Sequence, residues 1–573
     1  MSPSVLRRAG VAAAVTTTMT GLVVAAALAP ASAAPNGPKP VDLQLLALND
    51  FHGALEPPTG SGGRVQTGPD AAVDRVDAGG AEYLATQLQQ LAAAQRRHNT
   101  ITVAAGDLIG ASPLLSAAFH DEPTIEALNA MGLDYASVGN HEFDEGSAEL
   151  LRIQNGGCHP VDGCADGTPY EGADFQYLSA NAFVTATGEP LLAPYAIDNV
   201  QGVKVGFIGM TLEGTGDIVS QQGVAGLEFA DEVETANRYA AELQARGVES
   251  IVVLLHQGGS QTGPDAWDVD QCNALTGPIV DIATGMSDAI DVVVSGHTHQ
   301  AYNCLIDGKV LTSAGSNGRL VTDIDLQLDR RTGDVIDSAT RVDNVVVERT
   351  VARDPAQTAL IARYREALGP IASEVVGEAA ADITRTPDPE GETPLGNLIA
   401  DAQLADTRDA GAVAALMNPG GVRADLLAGP ITYEEAFTVQ PFANNLVTLD
   451  LTGTQLDCVL EQQYARTTAA VVLQPSSTLR YTVSASAPAG TVADPCSGQK
   501  VDGLTIDGAP VDPATTYRIT VNNFLAGGGD GFSQLTGGTG AVTGSIDLDA
   551  FTAHLGANRP ATAPATDRIT TVA

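Results

Sequence analysis

The sequence predicts an α/β layered domain followed by a smaller α+β domain, and three observations carry that reading. Short apolar runs recur through the first half of the 573 residues, each stopping at a polar turn. Helical patterns separate several of these runs. Past residue 348 the texture changes, and one amphipathic segment leads into shorter strand-like stretches with many turns. Continuous apolar runs of about four to eight residues read as strands covered on both faces. Their alternation with helices argues a layered sheet.

The elements follow in order. Apolar runs lie at 43–48, 101–105, 136–138, 203–208, 251–255, 290–294 and 310–313, with helical patterns at 81–97 and 232–246. Together they define a domain over 41–348. The segment 349–372 reads as one linker helix, because Leu360, Ile361, Tyr364 and Leu368 share a face. A second domain spans 373–556. It opens on a helix at 393–406, with Thr393 as N-cap and Pro394 in the first turn, and continues through strands at 446–451, 479–483 and 517–521. The Ala/Pro/Thr-rich segment 557–573 is expected to be a partly ordered tail.

Composition narrows the function. The formal net charge is −40, so binding a nucleic-acid polymer or an anionic membrane by bulk electrostatics is excluded. An anionic substrate would need local positive charge, and bound metal supplies it. Residues 1–33 carry Arg7 and Arg8, an apolar stretch and the small-residue pattern Ala31-Ser32-Ala33, which reads as a secretory signal peptide. A membrane anchor fits less well, because threonines interrupt the stretch. With no second long apolar segment and no visible anchor signal, the mature chain is expected to be secreted without a membrane span. The six cysteines fit an exported chain with disulfides. Local pairing (Cys158–Cys164, Cys272–Cys304, Cys458–Cys496) is the expectation.

The chemistry gathers where the strands end. Asp50 and His52 follow the first run, Asp107 the second, and the stretch Gly139-Asn140-His141-Glu142-Phe143-Asp144 the third. His256 follows a fourth run, and His297 and His299 a fifth. Five of the nine histidines therefore sit at these ends. One histidine at a strand end is ordinarily structural or solvated; five, joined by two aspartates, point to metal. Mixed imidazole and carboxylate donors suit Zn²⁺, Mn²⁺, Fe or Co. Seven candidate ligands are too many for one ordinary site and fit two divalent ions about 3.5–4 Å apart.

These motifs, taken together, resemble the calcineurin-like binuclear metallophosphatases. With the C-terminal half included they resemble the secreted or periplasmic 5′-nucleotidase family, which includes UDP-sugar hydrolases. The resemblance covers nearly the whole mature chain. It implies an αββα sandwich for the first domain and hydrolysis of nucleoside 5′-phosphates by a hydroxide bridging two metals. It implies that Asp50, His52, Asp107 and His299 hold one metal, and that Asp107, Asn140, His256 and His297 hold the other. His141 then donates to charge developing on the phosphate, and Asp144 orients it. Glu142 and Phe143 are expected to pack or face solvent, and Gly139 to let the turn bend.

The second half carries Asn418 to Arg423 (NPGGVR), Gln440 to Phe442 and Asn522 to Phe532 (NNFLAGGGDGF), which resemble the nucleotidase C-terminal domain. By that resemblance Phe442 and Phe524 sandwich the nucleobase, Asp530 binds ribose hydroxyls, and Asn418, Gly420, Gly421 and Arg423 contact phosphate. Either Phe alone would read as core. In a chain with 4% aromatics, both in Gly/Asn-rich turns, they read as a base clamp. One departure stands out. The stretch 387–392 lacks an arginine that many relatives place there, and the nearest is Arg385. Rival readings are a 2′,3′-cyclic-nucleotide phosphodiesterase/3′-nucleotidase, a UDP-sugar hydrolase, and a non-catalytic metal-binding surface protein. The last would be expected to have lost His141 or a ligand, and none is lost.

Overall fold

Two six-stranded sheets lie face to face. In the computed structural model, which describes residues 39–572 except 59, 96–98, 220–222, 264, 443 and 467–469, the first runs in the order Arg341–Val346, Leu320–Leu328, Val41–Leu48, Thr100–Ala105, Tyr135–Ser137, Gln176–Leu178. The last four of these are parallel. The second runs Ala301–Ile306, Lys309–Ala314, Val292–Ser295, Ser250–His256, Val203–Thr211, Tyr195–Val200, with its middle four parallel. The segment 1–33, expected from its sequence to be a signal peptide, lies outside the described residues.

Side-chain alternation explains the layering. Leu43, Leu45, Ala47, Val103 and Ala105 of one sheet meet Val205, Phe207, Val252, Leu254 and Val294 of the other in a shared core. The opposite set on the second sheet (Ile208, Met210, Val253, Leu255) packs under the helices Glu232–Ala245 and Pro278–Gly285. Leu46, Leu48, Ala104 and Ala136 pack under Ala81–Ala94 and Glu122–Met131. The result is an αββα sandwich. Every apolar run of the first half falls on a strand. The pair Leu320–Leu328 and Arg341–Val346 escapes the apolar-run criterion because it is only half covered: Asp323, Asp325 and Gln327 alternate with buried Ile324, Leu326 and Leu328.

The linker helix spans Pro355–Ala372, capped by Asp354, whose side chain accepts from the amides of Ala356 and Gln357. Ile361, Tyr364 and Leu368 enter a core that continues from Phe119 and Leu128 of the first domain to Leu395, Phe437 and Phe551 of the second. The second domain builds a five-stranded sheet in the order Gln474–Pro475, Ala414–Met417, Thr516–Asn522, Asn445–Thr452, Thr539–Ile546. The helix Pro394–Thr407 carries Thr393 as its N-cap. Disulfides join Cys158–Cys164, Cys272–Cys304 and Cys458–Cys496.

The segment after 556 departs from expectation. Ile569–Val572 is a strand parallel to Leu479–Ser484. Arg568 is buried against Asp401, and its own amide and that of Ile569 donate to Glu392. Composition suggested a tail, but a buried ion pair and a ladder hold the segment down. Among the described residues, no helix is long and apolar enough to cross a membrane.

Candidate active site

The strand ends of both sheets converge on one edge of the sandwich. Asp50, Asp107 and His256 are buried there. His256 Nδ1 lies 2.8 Å from the Ala105 carbonyl across the sandwich, and the His297 amide donates to the Asp50 carboxylate at 3.0 Å. Five of the seven candidate ligands lie in the left-handed backbone region: Asp50 at φ 49°, His52 at 47°, Asp107 at 49°, His297 at 72° and His299 at 55°. That region costs energy for residues with a Cβ and concentrates at functional sites.

The donors form two groups. Asp50, His52 and His299 offer ligand atoms within 4.8 Å of one another, and so do Asp107, His256 and His297. Asn140 Oδ1 is 3.0 Å from His297 Nδ1, and His52 Nε2 is 3.7 Å from Asp107 Oδ2, which places Asp107 between the groups. Two features fit a pair of cations. His256 Nε2 is 2.9 Å from Asp107 Oδ2 yet makes no hydrogen bond of acceptable direction. The Nε2 atoms of His52 and His299 face each other at 3.1 Å. Imidazole nitrogens crowded against one another and against carboxylate oxygens, one of them with no hydrogen bond, are how ligands look around an ion. Carbonyls hold the far ring nitrogens, Gly110 O on His52 and Ala105 O on His256.

Electrostatics set the protonation. Burial pushes His52 and His297 down to about 4, so both are neutral donors at neutral pH. Burial opposes charge on His256 too, but the Asp107 carboxylate overrides it and holds the pKa up to about 9. His141 behaves likewise: desolvation is outweighed by Asp144 and Asp107, and its pKa is held up to about 10. Its Nδ1 is 2.7 Å from Asp144 Oδ2, so Nε2 is the atom free to face a ligand.

Two residues given no chemical role by the sequence have structural ones. Glu142 is buried, and its carboxylate accepts from the amides of Asp107, Leu108 and Gly139. It clamps two strand-end loops together, and burial followed by the Asp107 charge raises its pKa to about 7. Gly139 is needed for space: a Cβ there would fall 2.2 Å from Asp107 Oδ1. Neither role was legible, because both depend on loops from separate strands.

Facing this cluster is a cleft of about 680 Å³. One wall is Asn140, His141, Asp144 and His297; the other is Asn418, Gly420, Gly421, Arg423, Phe442, Phe524 and Asp530. Every residue read as substrate-contacting therefore lines one space. The Arg423 guanidinium lies 5.7 Å from the Phe442 ring centre. Asn418 Nδ2 donates to Asp530 Oδ2 at 2.9 Å, and Asn522 donates to Asn418 Oδ1. Arg466 donates to the Asp530 carbonyl and stacks over Phe532, fixing a turn in which Asp530 has φ 52°; sequence reading missed it. Arg385 reaches the Val422 carbonyl at 3.4 Å, beside Arg423.

An αββα sandwich with His, Asp and Asn at its strand ends and a second domain across a cleft defines the two-domain phosphoesterase class. Comparison agrees. Residues 43–301 match the calcineurin-like phosphoesterase family, and residues 373–537 match the 5′-nucleotidase C-terminal domain. The chain belongs to the calcineurin-like phosphoesterases that carry a 5′-nucleotidase C-terminal domain. It is 36% identical over 518 residues to endonuclease YhcR of Bacillus subtilis, covering 89% of this chain and 39% of that protein. It is 33% identical over 524 residues to cell wall protein Lmo0130 of Listeria monocytogenes, covering 86% and 64%. The chain thus spans less than two thirds of either relative's length. A 5′-nucleotidase precursor from Thermus thermophilus has a similar structure, with a TM-score of 0.67, 28% identity and coverage of 93% and 99%.

Proposed function

We propose that this chain is a secreted, metal-dependent phosphoric monoester hydrolase that cleaves nucleoside 5′-phosphates to nucleoside and phosphate. The observation that carries the reading is the cleft, with a metal-type donor cluster on one wall and an arginine, two phenylalanines and an aspartate on the other. Asp50, His52, Asp107 and His299 would hold one divalent ion, and Asp107, Asn140, His256 and His297 the second. The pair supplies Lewis acidity at phosphorus and lowers the pKa of the attacking water. Asn140 would contribute an oxygen without negative charge, which would leave the second ion more electrophilic.

The chain's own residues do the rest. His141, charged and held by Asp144, donates from Nε2 to the phosphoryl oxygens as negative charge grows in the transition state. Arg423 binds the same anion with its planar fork, and the nearby Arg385 adds a second positive charge where 387–392 has none. Phe442 and Phe524 stack on the base, tolerant of its identity, and Asp530 accepts from ribose hydroxyls. The name of the Thermus thermophilus protein, of which 99% is covered, supports this substrate class. The cell-wall description of Lmo0130 supports an extracellular location. A second reading, hydrolysis of phosphodiesters such as 2′,3′-cyclic nucleotides, draws on the name of YhcR.

The test is one substrate panel with added Mn²⁺, Co²⁺, Zn²⁺ or none: 5′-AMP, 3′-AMP, 2′,3′-cyclic AMP, ATP and UDP-glucose. Preferential cleavage of 5′-AMP supports the first reading. Preference for the cyclic ester and 3′-AMP promotes the second. No hydrolysis of any substrate under any metal removes the enzyme reading.

A further inference from the structure

Two consecutive carboxylates, Asp144 and Glu145, line the sandwich wall of the cleft beside His141. Each has an imidazole of its own. Asp144 Oδ2 is 2.7 Å from His141 Nδ1, and Glu145 Oε2 is 2.9 Å from His120 Nδ1. His120 comes from elsewhere in the fold, the turn between the helices Leu114–Ala117 and Glu122–Met131, where its φ is 51°. Its other ring nitrogen, Nε2, lies 2.9 Å from Asp162 Oδ2. An ionised carboxylate only accepts, so a ring that meets one at each nitrogen must donate from both. His120 is therefore held as an imidazolium, and its pKa is raised to about 9, first by the hydrogen bond to Glu145.

The loop closed by the Cys158–Cys164 disulfide holds the ring in place. It supplies Asp162, and it supplies His159, whose ring stacks on that of His120 with centroids 3.8 Å apart and planes 18° apart. His159 Nδ1 accepts from the Asp162 amide at 3.2 Å, so the loop's own backbone fixes the ring that covers His120. The His120 side chain is left 18% exposed. Arg152, in the helix Ser147–Asn155, anchors the start of the loop by donating to the Gly157 carbonyl. That guanidinium is itself committed to Glu122 and Glu149. The other charged groups around His120 are acidic: Glu149 of the same helix, and Asp121 and Glu122 at the start of the next one. Asp144, Glu142 and the charged His141 line the cavity of about 180 Å³ that His120 also borders.

We propose that His120 is a positioning residue for the hydrolysis: it holds Glu145 toward the side cavity and offsets its charge, so that the wall beside His141 can take up a phosphate dianion. The inference rests on the reading of the cleft as a phosphate-ester site. Glu145 borders both the cleft and the side cavity. Without its cation it would leave His141 facing two carboxylates, in a space smaller than the screening length of about 8–10 Å at ordinary salt. One unit charge at about that distance in a half-solvated cleft changes the affinity for an anion by about three- to tenfold. His120 does not touch the substrate; it acts through Glu145.

The experiment is a double-mutant cycle on KM for 5′-AMP in the metal-loaded full-length chain: wild type, His120→Asn, Glu145→Gln and the pair. Asparagine tolerates a left-handed backbone, so His120→Asn removes the charge and keeps the turn. It should raise KM about three- to tenfold, with kcat little changed. Glu145→Gln alone should leave KM at or below the wild-type value. Added to His120→Asn, it should bring KM back to about the wild-type value, because the charge that needed offsetting is gone. Should His120→Asn fail to fold, Asp162→Asn should raise KM in the same direction. Histidine ring NMR reads the clamp without substrate. His120 should be doubly protonated at pH 7, lose its proton near 9, and lose it at lower pH in Asp162→Asn. If the wild type turns over no 5′-AMP, the nucleotidase reading falls, and the same cycle on the Kd for inorganic phosphate decides this one. A neutral His120 ring at pH 7, an unchanged KM in His120→Asn, or a double variant as impaired as His120→Asn would overturn the proposal.

Discussion

On the sandwich side of the cleft the innermost donors are buried and held from behind, and most of the candidate ligands are strained; on the C-terminal wall the rings and carboxylate that would meet the nucleoside are half-exposed. Asp50, Asp107 and His256 are at most 2% exposed, and five of the seven candidate ligands adopt a left-handed backbone. Opposite them Phe442, Phe524 and Asp530 are partly covered and Arg423 is exposed. Geometry to a few tenths of an ångström matters where ions and a reacting phosphorus must be placed, and only a packed scaffold can hold strain. Stacking on a base tolerates looser placement and variation in the base. The difference teaches that the two walls should fail differently when mutated: the first in chemistry, the second in recognition.

The largest effect expected is from Asp107→Asn, which removes charge shared by both donor groups. Hydrolysis should fall to background, and metal per chain should fall with it in the same elemental analysis. Retained activity at full metal content would break the comparison. His141→Ala should lower kcat by about 10²–10³-fold, the cost of losing one preorganised donor, with KM little changed. Asp144→Asn, which only orients His141, should cost less, about 10–100-fold. A larger loss in Asp144→Asn than in His141→Ala would reverse their roles.

Glu142→Ala leaves three amides without their acceptor. It should weaken metal binding by about 10–100-fold while the folded chain retains its nucleotide affinity, measured by chelator competition and KM. The smallest effect lies on the other wall. Asp547, the first residue of the helix Asp547–Ala557, whose amide donates to the carbonyl of Asn444 at the cleft, has its pKa raised to about 7 by burial. Its protonated form is the one the fold favours, so its contribution is present below the ordinary carboxylate range and is lost as pH rises through about 7. Asp547→Asn should therefore raise Tm by a few degrees at pH 8 and hardly at pH 4. A benefit that is equal at both values would place the effect elsewhere.

The two walls also differ in how legible they were. Each candidate ligand follows an apolar run directly, and a parallel sheet brings successive strand ends to one edge, so pattern alone pointed to the cluster. The C-terminal wall had no such rule. Asn418, Phe442 and Asp530 are more than a hundred residues apart at their extremes and were recognisable only by resemblance. What stayed hidden in both were supports that act across loops. Glu142 reads as one more polar residue until the amides of Asp107 and Gly139 are seen around it. Arg466 lies far from the turn it fixes. The half-covered strands Leu320–Leu328 and Arg341–Val346 were hidden for a simpler reason, since every second side chain faces away from the core.

One measurement tests the division of labour most directly: kcat/KM for 5′-AMP and for p-nitrophenyl phosphate, side by side, in wild type, His141→Ala and Phe442→Ala. The account predicts that His141→Ala lowers both substrates by the same factor. It predicts that Phe442→Ala lowers only 5′-AMP, by about tenfold or more and through KM, as the loss of one base-stacking ring implies. If Phe442→Ala instead depresses both substrates equally, or His141→Ala spares the small phosphate, the two walls do not divide chemistry from recognition.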